Sequence, residues 1–392
     1  MMINVNDGAT LRRSQGFAAA GAFSLLLAGT NMTTPLLPLY NSDLGFTPLL
    51  MSLTFVCYVS VLIWVLMMFS RPSVAKYAPQ LICVSLVVAA MSDCLLSQAN
   101  EAGILLGRGV AGVAGGVGTG AAAALVVTAL GAKGRSISAT GNLVGAVVGT
   151  AFAQACVMVL SADAMRVTFI VHGVACMVAL AVLLPILYRR REVNSFHLKQ
   201  ERSETTSVAK AIPRLPLVVG CIAWIAISIA IVSLPTLFSI IGLDSAKIGG
   251  VIALLVACAM GQLCSPWLAK HAPWLSGVVA MAIGAGLLLV GAKIHSSAIV
   301  LFGLGVLGGG AGVSYRIGLL VITKGCSPSL QSSRSSIYAA VTYGAAAFVI
   351  LLAGFAGNVF GISYVVTAIF SALVCIKLGL SVWAPKLKDS LE

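Results

Sequence analysis

The chain has 392 residues, 59% of them hydrophobic and 9% charged, with a net charge of +13 and a mean hydropathy of +1.04. A soluble domain is roughly half apolar and about a quarter charged, so this composition excludes a water-exposed globule of this length. Lipid is left as the solvent for most of the exterior.

A membrane-crossing helix needs about 20 largely apolar residues. Twelve such runs occur, at 17–40, 48–69, 78–97, 103–129, 137–160, 167–188, 215–241, 247–268, 273–292, 297–323, 335–356 and 361–384. The first run is longer than the apolar core of a signal peptide, about 7–15 residues, and reads as a retained span. Between the sixth and seventh runs the chain opens with Tyr188-Arg189-Arg190-Arg191-Glu192 and stays polar through Glu204. This divides it into an N-terminal six-helix half (1–188), a linker loop (189–214) and a C-terminal six-helix half (215–392).

Lys and Arg concentrate in cytoplasmic loops. With the N-terminus inside, 18 of the 24 basic residues fall on the cytoplasmic side. Three (Arg166, Lys247, Lys293) fall on the opposite side and three (Arg108, Arg316, Lys377) within spans. Both termini and the 189–214 loop are therefore expected in the cytoplasm, and the basic surface suits anionic lipid rather than nucleic acid. The short loops suit a bacterial inner membrane.

Ten cysteines occur without a C-x-x-C pair, and most lie inside apolar runs, as small buried hydrophobes do. His172, His197, His271 and His295 lack metal-ligand spacing. No G-x-x-x-x-G-K-[ST] stretch is present to bind nucleotide. An intramembrane enzyme would need a nucleophile–base or metal constellation in the bilayer, and no such motif occurs. Neither an enzyme nor a bound cofactor is expected.

An internal repeat relates the halves. At an offset of 196, Gly107, Gly109, Val110, Gly112, Gly116 and Val117 face Gly303, Gly305, Val306, Gly308, Gly312 and Val313. At 199, Arg135-Ser136 faces Arg334-Ser335 and Gly145-Ala146 faces Gly344-Ala345.

Two similar six-span halves, together with three local motifs, resemble the major facilitator superfamily over nearly the whole chain. Thr34-Pro35-Leu36-Leu37-Pro38-Leu39-Tyr40 looks like that family's first-helix motif. Leu105-Leu106-Gly107-Arg108-Gly109-Val110-Ala111-Gly112 resembles its fourth-helix motif, with Arg108 in the arginine position. Gly141-Asn142-Leu143-Val144-Gly145-Ala146-Val147-Val148-Gly149 is similar to the fifth-helix motif of the drug/proton antiporter branch, with Ala146 where proline is usual. The loop Ser70-Arg71-Pro72-Ser73-Val74-Ala75-Lys76-Tyr77 departs from the family's G-x-x-x-D-R-x-G-R-R pattern in having no aspartate. The resemblance implies an all-α membrane protein, with twelve transmembrane helices in two pseudo-symmetric bundles. The first, fourth, seventh and tenth spans would line a central cavity. Asn31, Thr34, Trp224 and Tyr315 are its candidate lining residues, with Pro35, Pro38 and Pro235 near the outer ends of the first and seventh spans.

Charges inside a span are costly and default to function. Asp93, Arg108 and Arg316 are the resulting transport or coupling candidates, with His172 in reserve as a group that titrates near neutral pH. Asp93 and Arg108 lie at the same depth on consecutive spans, so an ion pair is expected. Lys377 is expected to snorkel to the cytoplasm. Gly112 and Gly116, with Gly141, Gly145 and Gly149, put small residues four apart, which lets backbones approach during packing or gating. Asp93 is the one carboxylate within a span, and the cavity's fixed charge is positive. The expected activity is alternating-access secondary transport of a small molecule, as efflux of a neutral or anionic amphipathic compound with protons as possible partner. Uptake of an organic anion is the alternative within transport, and a non-transporting membrane receptor or scaffold the alternative outside it. A monomer in the lipid bilayer is expected.

Overall fold

In hydrocarbon every backbone N–H and C=O must be satisfied within its own segment, which leaves helices as the form for apolar runs of this length. The computed structural model describes residues 5–69, 77–130, 132–194, 213–324 and 328–390. Among them the secondary structure is helical, with no strand.

The first span is broken. Helix α1 (Val5–Asn31) gives way to a 3-10 turn at Thr34–Leu36 and then to α2 (Leu37–Leu44). Pro35 and Pro38 cannot donate to the carbonyls one turn back, so the α-helical ladder lapses there. Gly45 ends α2 in the left-handed region at φ 68°, where a side chain is disfavoured. The other N-terminal helices are α3 (Pro48–Phe69), α4 (Ala78–Leu96), α5 (Glu101–Leu130), α6 (Ala132–Leu160) and α7 (Ala164–Asn194). In the C-terminal half come α8 (Arg214–Ile240), α9 (Asp244–His271), α10 (Gly277–Lys293), α11 (Ser297–Thr323), α12 (Pro328–Phe360) and α13 (Ile362–Leu380). Unlike the first span, α8 continues through its own Pro235. Nine stretches of the described residues are long and apolar enough to cross a bilayer, and one of them, Leu143–Leu187, covers both α6 and α7. With α1 and the shorter apolar α10, the arrangement agrees with six spans in each half.

The repeat has a packing cause. A Cβ on Gly112 would strike the Tyr58 carbonyl and one on Gly116 the Val65 side chain, so α5 lies flush on α3. At the matching positions 196 residues on, a Cβ on Gly308 would strike the Leu254 carbonyl and one on Gly312 the Cys258 carbonyl, holding α11 flush on α9. Gly107 likewise faces α4 at the Ser92 carbonyl, and Gly303 faces α10 at the Gly284 carbonyl. Each central glycine helix therefore needs bare backbone on two sides, and both halves meet the need with the same spacing.

One apolar core is built mainly from α8, α9, α10, α11 and α13. A second joins α1, α4, α5 and α7. The halves meet through α3 against α12, where the Leu49 amide donates to Asn358 Oδ1 at 3.0 Å. They meet again through α6 against α9, where Ala146 packs with Val251 and Leu255. Trp64, Trp267, Trp274 and Trp383 are 60–69% exposed. They sit at the ends of α3 and α9, before α10 and after α13, one common side of an alternating bundle, as an interfacial aromatic belt does.

Candidate functional site

The broken first span supplies the anchor for Arg108. Carbonyls in the last turn of a helix lack backbone donors and carry its negative dipole end. Arg108, 4% exposed, reaches that end from α5: its Nη1 donates to the Thr30 carbonyl at 2.9 Å and, at 3.5 Å, to Thr33 Oγ1. Its Nε donates to the Thr54 carbonyl on α3 at 2.8 Å. The guanidinium lies over the Tyr58 ring, 4.6 Å from its centroid, a cation–π contact.

Asp93 does not pair with Arg108. Arg108 points toward α1 and α3, whereas Asp93 leaves α4 toward α7 and pairs with His172, Nδ1 to Oδ2 at 2.7 Å. Equal depth was the basis for expecting the ion pair; the helical faces decide against it. His172 Nε2 lies 2.9 Å from the Leu25 carbonyl of α1, and because a carbonyl only accepts, Nε2 carries hydrogen and donates. One further proton must then lie between Nδ1 and Oδ2, which makes the pair electrically neutral as a unit. Gly29 gives the imidazole its place: a Cβ there would overlap the ring. Cys176, one turn from His172, sets its sulfur 3.7 Å from Nε2. The oxygen, nitrogen and sulfur of Asp93, His172 and Cys176 lie within 4.8 Å of one another and could hold a metal ion. Ligand atoms around one tetrahedral zinc stand about 3.3 Å apart, so the 2.7 Å separation of Asp93 and His172 is that of a shared proton.

The C-terminal half carries a cluster of aromatic rings deeper in the bundle. Trp224 stacks on Tyr343 with centroids 4.9 Å apart and tilts against Tyr315 at 5.6 Å. Tyr315 in turn meets Tyr338 at 5.0 Å. Arg316, next in sequence to Tyr315, turns away and donates to the Gln262 carbonyl of α9. Asn31 folds back on its own helix, donating to the Leu27 carbonyl at 2.8 Å, and Thr34 is buried. Pro35, Pro38 and Pro235 meet around one cavity of about 160 Å³ between the halves, together with Gln154, Thr236 and Lys247. Gly145 and Gly149 press α6 onto the Ser24 and Ala28 carbonyls of α1. The surroundings of Gly141, and the 70–76 loop, lie outside the described residues.

Lys377 does not snorkel. It is fully buried, and its Nζ has no hydrogen-bond partner among the described residues. Positions 366, 370, 373 and 377 share one helical face, and Val366, Phe370 and Leu373 turn that face inward. Depth alone pointed the lysine to water, and the helical phase points it to the core. Tyr58, Tyr343 and Tyr338 went unnoticed because an aromatic in an apolar span reads as core; Tyr338 and Tyr343 have one signal, their clustering with Tyr315, and Tyr58 has none.

The sequence profile of the Major Facilitator Superfamily matches residues 19–350. No curated protein sequence matches the chain. Among solved structures, a bacterial homolog to the human lysosomal transporter Spinster, inward-facing and unoccupied, is similar with a TM-score of 0.72 at 12% identity, over 97% of this chain and 98% of that one. Its inward-facing and occupied form gives 0.70 at 12%, over 95% and 97%. The nucleoside transporter NupG gives 0.63 at 11%, over 94% and 98%. These identities bear on the fold alone, whereas the profile covers most of the chain: this protein belongs to the Major Facilitator Superfamily and is a multi-pass membrane transporter, not an enzyme.

Proposed function

We propose that this protein exports a neutral or anionic amphipathic organic molecule in exchange for protons, by alternating access, with its termini in the cytoplasm of a cell bounded by an inner membrane. The observation that carries the coupling is the buried Asp93–His172 pair, tied through His172 Nε2 to α1. An antiporter needs a group that binds a proton on one side and releases it on the other. With the shared proton in place, the pair is neutral and links α4 and α7 to α1. Removing that proton leaves a carboxylate facing a bare nitrogen lone pair, which repel; the contact between α4 and α7 opens, or the imidazole turns its remaining hydrogen to Asp93 and releases the Leu25 carbonyl of α1. The same helix supplies the Thr30 carbonyl that holds Arg108 and leads into the Pro35–Pro38 break beside the outer cavity. A proton at Asp93–His172 and the position of Arg108 are thereby joined through one element. Among the described residues, the other titratable group facing the pair is Cys176 on α7, and α1 presents backbone to it.

Export rests on the similarity of Gly141–Gly149 to the antiporter motif. Uptake of an organic anion is the second reading, favoured by Arg108 having no carboxylate partner among the described residues. The test is flux in proteoliposomes over a panel of neutral, anionic and cationic amphipaths, with proton or sodium gradients imposed in either direction. A proton gradient should drive opposed movement of a neutral or anionic compound. Sodium-driven flux, or co-directional movement with protons, would overturn the exchange reading.

A further inference from the structure

We infer that the cavity at the outer end of the molecule is a binding site for a small monocarboxylate, and that a ligand there ties the outer ends of the two halves together. This rests on the orientation and the alternating access proposed above. The cavity is lined by neither Arg108 nor the Asp93–His172 pair.

Its walls come from both halves. Pro38 on α2 and Gln154 on α6 face Pro235 and Thr236 on α8 and Lys247 on α9, around a volume of about 160 Å³. A cavity of about 150 Å³ accepts benzene, so one ring or a body of about six carbons fits. The floor is buried: Pro35, Pro38 and Pro235 supply apolar surface, and Gln154 and Thr236 are 6% and 1% exposed. At the mouth, Ser42, Ser239 and Ile240 are exposed.

Two lining groups are short of partners. Gln154 makes no side-chain hydrogen bond among the described residues, although it is buried, and a buried amide left unpaired is costly. Lys247 is half-buried and has no carboxylate partner among the described residues, Asp244 one turn before it included. Other polar side chains of the lining are engaged. Asn41 donates to the Phe46 carbonyl at 2.8 Å, Ser42 to Asp43 at 2.6 Å and Thr236 to Met51 Sδ at 3.3 Å. What remains free is a cation and an amide, and both can donate to a carboxylate. A cationic ligand would meet Lys247 with like charge. A dicarboxylate would carry its second charge onto the proline floor, where no second cation lines the cavity and an unpaired charge is costly. One carboxylate on an apolar body is the class that satisfies the walls.

The consequence follows from where the walls belong. The halves already meet at this end, through the Leu49 amide on Asn358 and Thr236 on Met51. Opening to the outside must draw α8 and α9 away from α2 and α6. A ligand with its body on Pro35 and Pro38 and its carboxylate on Lys247 touches both sides, so it favours the closed outer end. A small organic anion outside the membrane thereby slows transport.

The test uses purified protein in phosphatidylcholine nanodiscs, with empty nanodiscs as reference, titrated with benzoate, benzamide and acetate. Benzoate should saturate with a Kd of about 1 mM or below and bind about fivefold tighter than benzamide, the advantage of one partly exposed ion pair. Acetate, which lacks the apolar body, should not saturate in that range. Lys247→Gln should bring benzoate level with benzamide, and Ser239→Trp, which plugs the mouth, should abolish binding of both. Nitroxides on cysteines introduced at the exposed positions Ala162 and Ser245, on a cysteine-free background, report the separation of the halves. Benzoate should enlarge the population in which they lie close. Equal binding of benzoate and benzamide, saturation by acetate at the same concentration, benzoate binding intact in both variants, or an unchanged spin-label distribution at saturating benzoate would each overturn the inference. If a variant does not fold, the ranking by the unaltered protein decides. The expected binding and closure with no flux of any panel compound upholds the site and sinks the transport reading; flux with no benzoate binding does the reverse.

Discussion

Arg108 and Lys377 are both buried cations within spans, and they differ in what surrounds them. Arg108 is held by two backbone carbonyls and a ring, a fork geometry that an ammonium cannot reproduce. Each hydrogen bond from a charged group contributes about 1.5–3 kcal/mol, so Arg108→Lys should lower substrate flux at least about tenfold at unchanged expression. Full flux in Arg108→Ala would show the residue dispensable. Lys377 has no such partners among the described residues, and an uncompensated buried amine destabilises. Lys377→Met should raise the thermal midpoint of the purified protein, with a gain of about 1–3 kcal/mol; a lowered midpoint contradicts this. Asp93, Arg108, His172 and Lys377 were all legible as residues of interest, because charge inside an apolar run is visible without a structure. Their partners were not. Depth follows from counting along a helix, but which neighbour a side chain meets depends on helical phase and tilt, as the Asp93–His172 pair across 79 residues illustrates.

At the scale of elements, the glycine helices α5 and α11 give the most direct comparison between sequence spacing and packing. Gly112 and Gly308 each abut a backbone carbonyl of the neighbouring helix, while Gly109 and Gly305 have open space where a Cβ would stand. Gly112→Ala and Gly308→Ala should therefore destabilise, each by about 1–3 kcal/mol from overpacking. Gly109→Ala and Gly305→Ala should be neutral or stabilise, since Ala is the better helix former by about 1 kcal/mol. Thermal unfolding of the four single variants checks this, and a reversed order would refute the matched packing. The repeat was readable because small residues are the sole solution to close helix approach, so the constraint is written directly in residue type. The break between α1 and α2 was readable only as an opportunity. Pro35, Pro38 and Pro235 all permit a bend, yet α8 runs on through Pro235, because a single missing donor is tolerated where two a few residues apart are not.

For the whole molecule, the all-helical membrane fold followed from hydropathy and charge, which act over whole segments and need no contact information, and the nine apolar stretches among the described residues are consistent with twelve spans. The exposed tryptophans gather on the side to which the basic residues assign the cytoplasm. A cysteine placed at Ser195 on a cysteine-free background should resist a membrane-impermeant thiol reagent in intact cells and react after permeabilisation. Labelling from outside would invert the topology. Alternating access itself, and what drives it, is a property of two conformations and is not encoded in any local pattern. The central claim is that the Asp93–His172 pair carries the coupling proton, and the Asp93→Asn variant in proteoliposomes tests it most directly, with accumulation against a gradient and passive exchange measured side by side. The variant should lose proton-driven accumulation while retaining exchange of substrate across the membrane. Accumulation that survives in both Asp93→Asn and His172→Gln would contradict the claim.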